Sequence, residues 1–249
     1  MPDVNPGTSG LVSWWAMDTG ALTTDSHGSN TLTDNNTVGS GTGKQAECGD
    51  FEASNSEWLS IADNADVSLG DVDFTLCAWV KAESLTGNVN IILGKDTVSN
   101  REFAFGWLAN RFFLSLSVSV NAIANSLGAP STGTWYFVVA WHDQSANTLY
   151  IQVDNGTVDS ATYSGTPIDA AAAFGIGGRE YPGFMDPWDG LIDEVCIYKR
   201  VLSADERSFL YSAGSGVSYA TVSGSGATIP ATMHRMIPAG PIRIINASG

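Results

Sequence analysis

The sequence predicts an all-β fold: a two-sheet antiparallel β-sandwich with one short C-terminal helix and an extended C-terminal arm. Three observations point to it. About ten short strand-like runs are separated by clusters of Gly, Asn, Asp, Ser and Thr, the pattern of sandwiches rather than of helical proteins. Two of those runs alternate with the period of two that a half-buried strand requires. Only 15% of the 249 residues are charged, whereas 43% are apolar and 10% aromatic, so a large core is available and the polar surface must be built from small turn-forming residues.

The runs follow one another as residues 11–17, 58–61, 73–81, 91–94, 102–107, 111–120, 135–141, 148–153, 174–177 and 191–198. In 73–81 (DFTLCAWVK), Phe74, Leu76, Ala78 and Val80 face one way, and Thr75, Cys77, Trp79 and Lys81 the other. In 111–120 (RFFLSLSVSV), Ser115, Ser117 and Ser119 share one face. Asn110-Arg111 reverses the chain between two runs, and Asp154-Asn155-Gly156 forms a second tight turn in which Asn-Gly supplies the positive φ angles. Val195 and Ile197 face one side of the last run, Cys196 and Tyr198 the other, with Asp193 near the edge, able to reach a cation or a turn. The helix begins at Ser203: Ser203-Ala204-Asp205-Glu206 is a capping box, Phe209 and Leu210 give an apolar side, and Gly214 ends it. The chain therefore divides into an N-terminal segment, 1–9, a sandwich, 10–214, and a Gly/Ser-rich linker with an extended arm, 215–249.

The formal net charge is −15, from 11 basic and 26 acidic residues, which excludes a phosphate-backbone partner. No apolar run approaches the ~20 residues of a membrane span. The opening MPDVNPGTSG has neither a basic nor an apolar region, so no Sec signal is expected, and the chain is expected in the cytoplasm, or outside it by a non-Sec route or by lysis. Three cysteines, Cys48, Cys77 and Cys196, are too few for a disulfide scaffold and read as small buried hydrophobes. There is no G-x-S-x-G, no H-E-x-x-H, and no run of acids at alternate strand positions. Asp193 and Glu194 are adjacent and are expected on opposite faces, so the sequence does not read as an enzyme.

Five stretches resemble a known family. GLVSWWAMD from Gly10, FEASNSEWLSI from Phe51, DFTLCAWVK from Asp73, GTWYFVVAWHDQSANTLYIQVDNG from Gly133 and DGLIDEVCIYKRVLSADE from Asp189 resemble, in order and spacing, the laminin-G-like, concanavalin A-like lectin/glucanase jelly-roll domains. The resemblance implies a jelly-roll sandwich and the possibility of a structural Ca²⁺ near the first and last strands, held by Glu52 and Asp193, with Asp18, Glu57 and Asp189 as neighbours. Glu52 stands where the family often has Asp; solvated turn acids are the alternative.

Sugar binding requires exposed aromatic faces flanked by polar partners. Trp79, Trp135 and Trp141 fall at core positions. The loop 179–190 concentrates Tyr181, Phe184, Asp186 and Trp188 with Arg179 and Asp189, and is the candidate glycan site. The alternative is a loop folded over the sandwich with its aromatics buried. The arm carries Ile229, Met233, Met236, Ile237, Ile242, Ile244 and Ile245, which suit docking into a neighbouring subunit. The expected function is a non-enzymatic surface module of a homo-oligomeric assembly, a phage virion head-decoration or tail-surface component, whose sandwich binds glycans. A stand-alone calcium-dependent lectin and a glycoside hydrolase are the other readings.

Overall fold

A computed structural model describes residues 4–85, 89–96, 101–116, 120–180 and 183–224. The strands are β1 (Leu11–Trp15), β2 (Thr33–Asn35), β3 (Gly39–Thr42), β4 (Glu47–Phe51), β5 (Trp58–Ile61), β6 (Phe74–Ala82), β7 (Val89–Asp96), β8 (Arg101–Leu108) and β9 (Arg111–Leu116). They continue as β10 (Val120–Ile123), β11 (Tyr136–Asp143), β12 (Thr148–Val153), β13 (Asp159–Thr162), β14 (Phe174–Ile176), β15 (Arg179–Glu180), β16 (Phe184–Met185) and β17 (Gly190–Tyr198). Sheet A has the order β13-β12-β11-β6-β17-β4-β3, with β1 also pairing to β17; sheet B has the order β10-β9-β8-β7-β14-β5-β2; β15 and β16 form a separate hairpin. All pairings are antiparallel.

The alternation of β6 decides the packing. Phe74, Leu76, Ala78 and Val80 point between the sheets and meet Phe103, Phe105, Leu114 and Phe174 of sheet B in the main core. Cys77 and Trp79 point to the outer face of sheet A, where they join Trp14, Phe137, Trp141, Cys196 and Tyr198 in a second core. That core exists because the C-terminal segment covers it. Helix α1 (Ala204–Tyr211) has the full capping box, with the Ser203 side chain accepting from the Glu206 amide and Glu206 reaching back to the Ser203 amide. Leu210 is buried against the sheet, Tyr211 stacks on Trp79 at 5.9 Å, and the Arg207 guanidinium lies 4.1 Å over Trp141 while donating to Gln152 at 2.8 Å. Each large side chain buried this way is worth about 2–3 kcal/mol of transfer free energy.

The structure moves several boundaries. The β8–β9 turn is centred on Ala109 and Asn110, both at positive φ, and Arg111 already belongs to β9. In the 154–156 turn the positive φ angles fall on Asp154 and Asn155 rather than on Asn-Gly. Asp193 is not near an edge: β17 is flanked by β6 on one side and by β4 and β1 on the other, and Asp193 is fully buried. Packed chain also extends past Gly214 into the segment read as linker, because Val217 and Tyr219 rest on the second core and Val222, in helix α2 (Tyr219–Ser223), is buried in it. The arm residues Ile229 to Ile245 lie outside the described residues.

Candidate functional site

The outer face of sheet B carries the β15–β16 hairpin and, on β7, β8 and β9, a small buried cluster of Ile91, Ala104 and Phe113. Leu59 is in the main core and Ile61 packs against it, so Trp58 and Ser60, the alternate residues of β5, point outward. Gly175 of β14 pairs with Ser60, and a Cβ there would stand 3.0 Å from the Trp58 ring. A Cβ on Gly178 would collide with the Phe184 ring. These two glycines let both rings lie against backbone. The result is an aromatic pair, Trp58 and Phe184, with centroids 5.5 Å apart and planes at 36°, each ring partly open to solvent.

Beside the pair runs a chain of alternating charges. Arg179, only 6% exposed, donates to Asp186 through Nε at 2.8 Å and through Nη2 at 2.5 Å, and to buried Asp96 through Nη1. Arg101 donates to the same Asp96 oxygen at 2.9 Å and reaches the Ser115 hydroxyl at 3.4 Å. The Asp186 carbonyl accepts from the Ile91 amide at 2.9 Å, which fastens the hairpin to β7. Asp96 is 1% exposed and its Oδ1 has no hydrogen-bond partner among the described residues, so the two arginines bonded to its Oδ2 compensate a buried carboxylate. Polar atoms and two partly exposed rings thus share one face, an arrangement suited to ligands with both apolar faces and hydroxyls.

Of the loop residues expected at a glycan site, Phe184 and Asp186 come together here. Trp188 does not: it is fully buried in the main core, its backbone amide held by the Gly177 carbonyl, because the chain dives between the sheets to start β17. Tyr181 lies outside the described residues. Trp58 was not singled out from the sequence, although the Trp58–Ile61 alternation already placed it opposite Leu59.

The expected metal pair is rearranged. Carboxylate oxygens of Asp50, Glu52 and Glu83 lie within 4.8 Å of one another, and Asp193 is not among them. Partial desolvation and the charges of Asp189, Asp50, Glu83 and Glu57 raise the Glu52 pKa; desolvation and Glu57 raise that of Asp50, with Lys81 opposing. Asp50 Oδ1 is buried and has no hydrogen-bond partner among the described residues. Asp189 pins the neighbouring turn by accepting from the Ala53 amide at 3.1 Å, and Glu57 accepts from the Glu52 amide at 2.9 Å. Clustered oxygen donors with mutual repulsion fit a hard divalent cation. Asp193 instead serves the β3–β4 turn, its Oδ2 accepting from the amides of Lys44 at 2.6 Å and Gln45 at 2.9 Å.

Asp193 and Glu194 are not on opposite faces. The β17–β6 register slips between Asp193 and Cys196, and Glu194 takes φ 47°, so a β-bulge turns both side chains toward the outer face of sheet A. Both are buried: Glu194 lies beside Leu210 and Val217 of the C-terminal segment and accepts from the Trp14 indole N–H, and Asp193 lies under the β3–β4 turn.

Two antiparallel sheets packed face to face, one outer face capped and the other bearing an aromatic pair, define a lectin-like jelly-roll domain. Residues 53–206 match the family model described as the concanavalin A-like lectin/glucanases superfamily, and the chain belongs to that family. Among solved structures, it is similar to domain 4 of AbnA, a GH43 extracellular arabinanase from Geobacillus stearothermophilus, in complex with arabinotriose, with TM-score 0.63 and 20% identity over 83% of this chain and 98% of that one. It is also similar to the binding domain of Paraclostridial Mosquitocidal Protein 1, with TM-score 0.66 and 14% identity over 82% of this chain and 52% of that one. The binding domain of Botulinum Neurotoxin DC in complex with SialylT gives TM-score 0.62 and 12% identity over 82% and 51%. The chain thus spans about half the length of those toxin binding domains. At such identities the likeness is one of fold. No curated protein matches the chain in sequence.

Proposed function

We propose that this chain is a non-catalytic carbohydrate-binding module, and that sugar stacks on Trp58 and Phe184 at the outer face of sheet B. The observation that carries this reading is the partly exposed aromatic pair beside the Asp186–Arg179–Asp96–Arg101 chain. A pyranose or furanose ring offers a C–H face to an indole and hydroxyls to carboxylates and guanidinium groups. The arabinotriose complex of the similar arabinanase domain and the SialylT complex of the similar toxin domain support a sugar as ligand class. The non-catalytic reading is supported by where the paired carboxylates stand: Asp193 and Glu194 share a face but are buried, Asp193 under the β3–β4 turn and Glu194 beside the C-terminal segment. Titration calorimetry against arabino-oligosaccharides and sialylated glycans tests it, with Trp58→Ala and Phe184→Ala as controls. Binding that is unchanged in both variants removes the site.

In the same reading Asp50, Glu52 and Glu83 hold a structural Ca²⁺, which would neutralise the cluster and fix the β4–β5 turn. The wider setting is a surface module of a larger assembly, such as a virion, joined through the arm residues Ile229, Met233, Met236, Ile237, Ile242, Ile244 and Ile245. The apolar pattern of that arm supports it. Light scattering of the full chain against a chain ending at Gly224 tests it; equal monomeric masses remove the assembly role.

A further inference from the structure

We infer that Cys77 and Cys196 are a redox-closable pair, positioned to form a cross-strand disulfide that joins the two central strands of sheet A. They are direct register partners on β6 and β17. Both side chains project to the outer face, where they lie in the second core, 0% and 1% exposed. The thiols interact directly with each other. Directly opposed residues of an antiparallel pair have Cα atoms about 4.5–5.5 Å apart, inside the range of about 4.4–6.8 Å that disulfides span. A small void beside them is bordered by Trp14, Trp79, Phe137, Glu194, Leu210 and Val217, which leaves the sulfurs room to change rotamer. Cys48 is the internal control: it is buried on β4 with Gly41 of β3 as its register partner, whereas Cys77 and Cys196 are partners of each other.

The reaction requires an oxidant, and a low-molecular-weight disulfide supplies it. One cysteine thiolate attacks that disulfide and releases one thiol; the second cysteine displaces the other half. The Cys77–Cys196 bond forms, the oxidant takes two electrons, and the two cysteine protons end on the two released thiols. Burial raises the Cys196 pKa well above that of a free thiol, and α1 and Val217 stand between the pair and solvent, so the exchange proceeds through openings of the C-terminal segment. A closed bond would tie together residues 119 positions apart in the sequence, restricting the unfolded chain.

The test uses the full chain. It is incubated with oxidised glutathione, with and without urea below the unfolding transition, quenched in acid, alkylated under denaturing conditions and mapped by mass spectrometry. The expected product is about 2 Da lighter, links the Cys77 and Cys196 peptides, keeps Cys48 alkylated, and melts several degrees higher until dithiothreitol reverses it. Cys196→Ser and, separately, Cys77→Ala abolish the link. Full alkylation of all three cysteines in both conditions, a bond to Cys48, or a stable glutathione adduct at either position overturns the proposal.

Discussion

Asp193 and Glu194 are consecutive residues of one strand whose carboxyl groups both face the outer core of sheet A, because Glu194 occupies the extra position of a β-bulge. Burial pushes Asp193 up to about 7, and burial together with the Asp193 charge pushes Glu194 up to about 9. In the unfolded chain both titrate near pH 4. The folded chain therefore holds these protons more tightly. The stability they contribute is complete below about pH 4 and is lost as the pH rises through about 7 and then about 9. Urea unfolding should show stability falling from pH 5 to pH 9. Glu194→Gln should flatten that slope and be more stable than the parent at pH 9, by on the order of 2 kcal/mol; an unchanged slope would show that the pair is ionised in the fold.

Trp58 is partly exposed and lies in none of the core clusters of the described residues, so Trp58→Ala should leave the unfolding free energy within about 1 kcal/mol of the parent. Sugar affinity should fall by roughly tenfold or more, the loss of one stacking platform. Calorimetry and thermal melting on the same preparation separate the two effects.

Lys95 is fully buried at the end of sheet B, 2.6 Å from Glu102 and 2.8 Å from Asp63, and donates to the Ala170 carbonyl. Glu102 in turn accepts from the amides of Leu69 and Ala170. Lys95→Ala leaves Glu102 buried without its cation, and should cost about 3–5 kcal/mol in urea unfolding. Lys95→Ala with Glu102→Ala together should cost less than the sum of the two single changes.

If the Asp50–Glu52–Glu83 group binds Ca²⁺, millimolar Ca²⁺ should raise the melting temperature and EDTA should reverse it. Glu52→Gln should remove the shift. Because the Asp50 and Glu52 pKa values are raised, protons should compete, and the Ca²⁺ effect should weaken as the pH falls from 7 toward 5.

The cap of α1 is the simplest helix test. Ser203→Ala removes the acceptor for the Glu206 amide and should cost about 1 kcal/mol, with part of the loss appearing as faster hydrogen exchange in residues 204–211.

The fold was legible because β6 and β9 alternate and because the capping box at Ser203 is a local signal. The β-bulge at Glu194 was not legible: it places an ordinary Glu in a left-handed conformation that composition and spacing do not announce, and strict alternation then gives the wrong face. Trp188 follows the other reading of its loop, with the ring buried, for a related reason. Its neighbours Pro187, Asp189 and Gly190 read as loop, but the chain enters the sandwich at that point. Trp58 was within reach, since Leu59 and Ile61 fix the inward face of its strand. Its pairing with Phe184 needed the hairpin to be folded across the sheet, a contact between residues far apart in sequence.

The covered outer face of sheet A also sets how the domain is mounted. The Val4 amide donates to the Asp205 carbonyl, and the Asn5 side chain donates to the carbonyls of Thr221 and Val222 at 3.2 Å. The segments leading into and out of the sandwich are therefore laced together behind sheet A. Trp58 and Phe184 lie on the opposite side of the molecule. A neighbour held close to Val4 or Gly224 would stand at the rear, and the ring pair faces away from it.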